Sequence, residues 1–150
     1  MDQVDQRLLQ ALRADGRATY AELGRLVGLS APSAHDRVAK LEATGVITGY
    51  HAAVQPAAIG LGVLALVGIF TTESGDQDVV AERLRRVEAL EDCWTVAGEE
   101  TFIVTVRARD VDGLEHTLGA LRRLEGVART RTTVVLSTRW EDRAPAAPTT

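Results

Sequence analysis

A chain of 150 residues, 45% apolar and 25% charged, has the balance of an ordinary globular protein and room for one domain or two small ones. One cysteine, Cys93, excludes an internal disulfide and a cysteine metal cluster. No apolar run reaches the ~20 residues that span a bilayer, and the start MDQVDQRLLQ has neither the basic nor the apolar region of a signal peptide, so a cytoplasmic protein is expected. The net charge is −4, but up to Val54 six bases face six acids, so the deficit lies entirely in the remainder.

The first half predicts three helices and a short wing. Val4, Leu8, Leu9 and Leu12 recur at helical spacing. Thr19-Tyr20-Ala21-Glu22 reads as a capping box, opening a helix with Leu23, Leu26 and Val27 on one face. Gly28 breaks it, Ser30 can cap the next helix with Pro32 tolerated in its first turn, and Gly45 ends that helix. Residues 46–54 are expected to form a strand pair or wing around Gly49. A hinge at 55–60 holds Pro56 and Gly60.

Beyond the hinge the period changes. Residues 61–71 read as a strand, and Val80, Leu84 and Val87 mark a helix. A short strand at 93–97, with Cys93 expected to be buried, leads into a tight connection, Gly98-Glu99-Glu100. Residues 101–109 alternate as a strand, Leu114, Leu118 and Leu121 mark a second helix, and 127–138 form the last strand. The order βαββαβ is the ferredoxin-like split unit. The fold class is therefore α+β: a winged helix-turn-helix domain (1–54), a hinge (55–60), a ferredoxin-like domain (61–140) and a disordered Pro/Ala-rich tail (141–150).

Two short helices with a glycine between them satisfy the geometry of a helix-turn-helix over residues 19–43, whose second helix enters the major groove of double-stranded DNA. With Ala34, Val38 and Leu41 inward, the outward face offers Ser30, Ser33, Arg37 and Lys40, with His35 and Asp36 at its flanks. The fork of Arg37 suits a guanine edge. Ser30 and Ser33 suit phosphates beside the helix N-terminus, and Lys40 suits a backbone contact. Asp36 repels phosphate or pairs with Lys40. A neutral module binds DNA weakly as one copy, which favours an oligomer that presents several.

These residues also carry a resemblance. DGRATYAELGRLVGLS (15–30) and DRVAKLEATGVITGYHAAV (36–54) resemble the N-terminal signature of the Lrp/AsnC, or feast/famine, family, and VAGEETFIVTVRARDVDGLEHTL with GVARTRTTVVL resemble its second domain. The resemblance implies a transcription regulator that forms dimers through the second domain, often assembles into octamers, and binds an amino acid or related small molecule as effector. It implies an effector site at Gly98, Glu99, Glu100 and Thr101, with Thr101 standing where the family commonly has Asp. Val96 before this turn is counted with the site, as are Thr130 and Thr132, which share one face of the last strand; Arg129 and Arg131 share the other face, and either pair could line the pocket. A glycine turn lets backbone N–H groups approach a carboxylate, and the counter-charge for an ammonium falls to Glu99, Glu100 or a neighbouring subunit. His35, His51 and His116 have no metal-ligand spacing. No catalytic motif is present, so no enzyme and no cofactor beyond the effector is expected. The alternative is an effector-independent architectural DNA-binding protein.

Overall fold

The computed structural model describes residues 1–141; of the expected tail, 142–150 lie outside the described residues. The chain divides into two compact units, Met1–Ala53, with Trp140 and Glu141 grouped with it, and Val54–Arg139.

The first unit holds α1 (Gln3–Ala14), α2 (Tyr20–Val27) and α3 (Ala31–Ala43). Each begins on a side-chain cap. Asp2 and Asp5 form a reciprocal capping box on α1, Thr19 and Glu22 another on α2, and the Ser30 hydroxyl accepts from the Ser33 amide on α3. Gly28 ends α2 at φ 74°, a left-handed position that favours glycine. Leu8, Leu23, Ala34 and Val38 form the buried core, with Val4, Leu12, Val27 and Ile47 around it.

The expected wing is corrected: none of residues 46–54 lies in a strand. The amides of Val46 and Ile47 both donate to the Leu41 carbonyl and so finish α3. The Tyr50 hydroxyl donates to Glu42 (2.8 Å), and partial burial with this acceptor pushes its phenol up to about 12.

In the second unit a 3-10 turn (Pro56–Ile59) precedes β1 (Val63–Thr71), α4 (Gln77–Leu84), β2 (Leu90–Thr95), β3 (Phe102–Ala108), α5 (Val111–Arg123) and β4 (Val127–Val135). The sheet order is β2-β3-β1-β4, antiparallel throughout, as the βαββαβ pattern predicts. Ala65, Val67 and Ile69 of β1 and Phe102, Val104 and Val106 of β3 pack with Val80 and Leu84 of α4 and Leu114 and Leu121 of α5. Strand alternation sends Leu64, Leu66, Gly68 and Phe70 to the opposite face, in register with Ile103 and Thr105 of β3 and with Arg129, Arg131 and Thr133 of β4. Trp94 of β2 joins that face opposite Ile103. α4 and α5 pack on the other face; on this one Leu66 and Trp94 are 40% and 49% exposed, while Phe70 is buried. Cys93 is also exposed, contrary to expectation, because β2 is an edge strand.

Candidate DNA-reading helix and effector turn

On α3, Ala34, Val38 and Leu41 are buried. At about 100° per residue, the opposite arc is centred on Asp36, with Pro32 and Ala43 beside it and Ser33 and Lys40 on one flank. Lys40 is exposed and makes no ion pair among the described residues. Asp36 meets His35 Nδ1 at 3.3 Å rather than Lys40. The His35 ring stands edge-on to Tyr20 of α2, centroids 4.9 Å apart, on the other flank. Ser30 and Ser33 bond to each other through their hydroxyls (2.9 Å), and each retains capacity for a further contact.

Arg37 departs from expectation. Its Nη1 donates to Asp2 Oδ2 (2.7 Å) and Asp5 Oδ1 (2.8 Å), which ties α3 to the start of α1 instead of pointing a free fork outward. The backbone bonds of the capping box, followed by the Arg37 guanidinium, hold both carboxyls below their ordinary range, and the same pairing raises Arg37.

The α2–α3 turn is tight at Gly24, which is buried. A Cβ there would lie 2.6 Å from the Leu29 carbonyl oxygen and 3.1 Å from that of Ser30. The Leu29 amide donates to the Gly24 carbonyl (2.8 Å), and Arg7 of α1 donates to the Leu26 carbonyl (2.7 Å), so both ends of this approach are pinned.

In the second unit residues 96–101 connect β2 to β3, closed by the Val96 amide donating to the Thr101 carbonyl (3.2 Å). Gly98 is exposed and has negative φ; the nearest atom to a Cβ there is 3.8 Å away. The local fold therefore does not require glycine at this position. Thr101 is bound into the sheet: its amide donates to the Ile69 carbonyl (2.8 Å) and its hydroxyl meets that of Thr71 (2.9 Å).

The glutamates separate. The Glu100 side chain is 11% exposed, bonds Arg131 Nη2, and lies over Gly68, where a Cβ would come within 2.7 Å of Glu100 Cγ. Glu99 is open to solvent and 3.8 Å from Arg131 Nη1. Gly68, opposite Arg131 in the register, is the glycine that this arrangement needs. It was visible in the sequence only as a break in an apolar run.

Within this chain Thr130 and Thr132 are not brought to this turn. They pair with Ile69 and Val67 and so face the helix layer. Thr130 accepts from Arg122 (3.4 Å), and the Thr132 hydroxyl is buried without a hydrogen-bond partner among the described residues. On the other face of β4, Arg131 meets the turn through Glu99 and Glu100, and Arg129 stacks over Phe70 at 3.5 Å. Among the described residues no group of His, Cys, Asp and Glu is placed to hold a metal, and no helix is long and apolar enough to cross a membrane.

The comparisons with known proteins agree with this two-part layout. Residues 1–42 match the model of the AsnC-type helix-turn-helix domain, and residues 64–145 that of the Lrp/AsnC ligand binding domain. The chain is 39% identical over 143 residues to the HTH-type transcriptional regulator LrpA of Mycobacterium tuberculosis, covering 95% of each. It superposes with a TM-score of 0.90 on a feast or famine regulatory protein from M. tuberculosis complexed with L-methionine (39% identity, 96% of this chain and 97% of that one). A transcriptional regulator from Neisseria meningitidis in complex with L-Met gives 0.88 (25% identity, 97% and 96%). The chain belongs to the Lrp/AsnC family of transcriptional regulators, a DNA-binding helix-turn-helix domain followed by a ligand-binding domain.

Proposed function

We propose that this regulator binds operator DNA as an oligomer whose assembly or DNA geometry responds to a free amino acid held at the 96–101 turn. The observation that carries the effector is the meeting of Arg131 with Glu99 and Glu100 beside that turn. A zwitterion needs one group of each sign, and this cluster offers a guanidinium for a carboxylate and an exposed glutamate for an ammonium. Gly98 leaves room for close backbone approach although the fold does not need glycine there. The L-methionine complexes of the two relatives support an amino acid as the class. Calorimetric titration with each of the twenty amino acids tests it: heat from at least one, abolished by Arg131→Ala, is expected, and no heat from any would overturn it.

Self-association is supported by the sheet face turned away from α4 and α5, where Leu66 and Trp94 are exposed and Leu64 and Ile103 half-buried. A second copy placed there would bury what is otherwise an exposed patch, and dimers can assemble further into octamers. The neutral first unit is consistent with this need for several copies, and a cytoplasmic location goes with a DNA-binding role. On DNA, Ser33 and Lys40 are the α3 side chains best placed for phosphate, with Ser30 at the helix N-terminus and His35 on the α2 side.

A further inference from the structure

We propose that Arg37 is a positioning residue: it sets the seat of the recognition helix α3 on α1 through Asp2 and Asp5, and does not itself read a base. This rests on the reading of α3 as the helix that enters the groove.

The hydrogen bonds close on themselves. Within the capping box the Asp5 amide uses Asp2 Oδ1 (2.9 Å) and the Asp2 amide uses Asp5 Oδ2 (3.0 Å). That leaves Asp2 Oδ2 and Asp5 Oδ1, and these are the two oxygens that receive Arg37 Nη1. An Nη atom carries two hydrogens, so both are committed. Each carboxylate oxygen in turn has a partner. The box also forces two like charges together at the start of α1, where Asp2 opposes ionisation of Asp5, and Arg37 is the cation that meets both.

The placement on α3 fits this role. Arg37 lies between the buried arc (Ala34, Val38, Leu41) and the outward arc centred on Asp36. With Nη1 held by both carboxylates, only Nε and Nη2 are left to donate elsewhere, and they act from where that anchor holds them. The apolar seat of α3 is small, formed by Ala34 and Val38 against Leu8 and Leu23. It limits sliding of α3 weakly, because apolar contact is non-directional; a bridging guanidinium supplies direction. Arg7 acts similarly for α2, bonding the Leu26 carbonyl, so α1 holds each helix of the motif by one arginine contact.

The test uses the full chain and a duplex selected by it from random sequence. Every base pair of that site is substituted in turn, at a temperature where circular dichroism shows each variant fully folded. The proteins are wild type, Arg37→Gln, Arg37→Lys, Asp2→Asn/Asp5→Asn, and the triple Asp2→Asn/Asp5→Asn/Arg37→Gln. Asparagine still caps a helix, so the double variant carries the test even if Arg37→Gln fails to fold. Arg37→Gln and the double variant should each lower the preference for the selected site over scrambled DNA by roughly tenfold. The loss should be spread over all discriminating positions, and the triple variant should be no worse than Arg37→Gln. Arg37→Lys, which can still bridge both carboxylates, should recover much of the preference. A loss confined to one base pair in Arg37→Gln, with discrimination kept in the double variant, would make Arg37 a base reader and overturn the inference. So would unchanged discrimination in Arg37→Gln. Failure of the wild type to prefer its selected site would instead remove the groove-reading assignment of α3, and this inference with it.

Discussion

Replacing Gly24 by alanine probes the tightest contact of the helix-turn-helix. The added Cβ would lie 2.6 Å from the Leu29 carbonyl oxygen, about 0.8 Å short of ordinary contact. That oxygen is backbone, held by the Ser30 cap on one side and by the Leu29 amide bond to Gly24 on the other, so the strain cannot be shed by a rotamer change. Overpacking costs about 1–3 kcal/mol, and a rigid backbone neighbour places this site near the top of the range. Alanine in place of glycine inside a helix returns about 1 kcal/mol. The net loss is about 2 kcal/mol, which for so small a unit lowers Tm by roughly 10 °C. Gly28→Ala is the control: it meets no atom within 4 Å but must adopt φ 74°, at a cost of about 1 kcal/mol. Thermal unfolding followed by circular dichroism, with operator binding measured below the transition, separates them. Gly24→Ala should lose stability and, by opening the α2–α3 angle, operator affinity; Gly28→Ala should lose stability alone. A Tm for Gly24→Ala equal to or above wild type would refute the argument that close approach dictates glycine there.

Leu8→Ala, at a fully buried position, should cost about 2–5 kcal/mol in urea unfolding; a loss under 1 kcal/mol would show that the core can collapse around the gap. Gly68→Ala should displace Glu100 and destabilise the second unit by roughly 1–2 kcal/mol, and a Glu100→Ala background should relieve most of that; additive losses would mean the two do not compete for space. Leu66→Lys on the sheet face turned away from α4 and α5 should shift the sedimenting species towards monomer, and an unchanged distribution would place the interface elsewhere. Asp2 and Asp5 have folded pKa values below the ordinary 3.8. Their contribution is therefore complete above the unfolded value and is lost as pH falls through the folded one. Asp2→Asn/Asp5→Asn should be less stable than wild type at neutral pH and converge with it in strong acid; a constant gap across the titration would contradict the lowering of the two carboxyls.

Most of the fold is written in local signals. The Thr19–Glu22 capping box and Ser30 fix where α2 and α3 start, and Gly28 and Gly45 fix where they stop, because each acts within four residues in the chain. The strict alternation of 102–108 gives β3 and its buried face. What depends on distant partners was not legible. Arg37 has the spacing of an outward residue, but its carboxylates lie 32 and 35 residues earlier. Residues 46–54 have strand-like composition without a strand to pair with. Alternation shows that Thr130/Thr132 and Arg129/Arg131 part company on β4. Which pair meets the 96–101 turn depends on the register that sets Arg131 opposite Gly68 and lets Glu100 fold over it.

The central claim is a neutral helix-turn-helix that discriminates DNA sequence only as several linked copies. Its most direct test is fluorescence anisotropy of the full chain on its selected operator and on a scrambled duplex of equal length, at physiological salt. The account predicts a cooperative isotherm on the operator, tighter than on scrambled DNA by at least about 10³, with an oligomer as the bound species. Equal affinity for both duplexes, or a non-cooperative isotherm from a bound monomer, would contradict it.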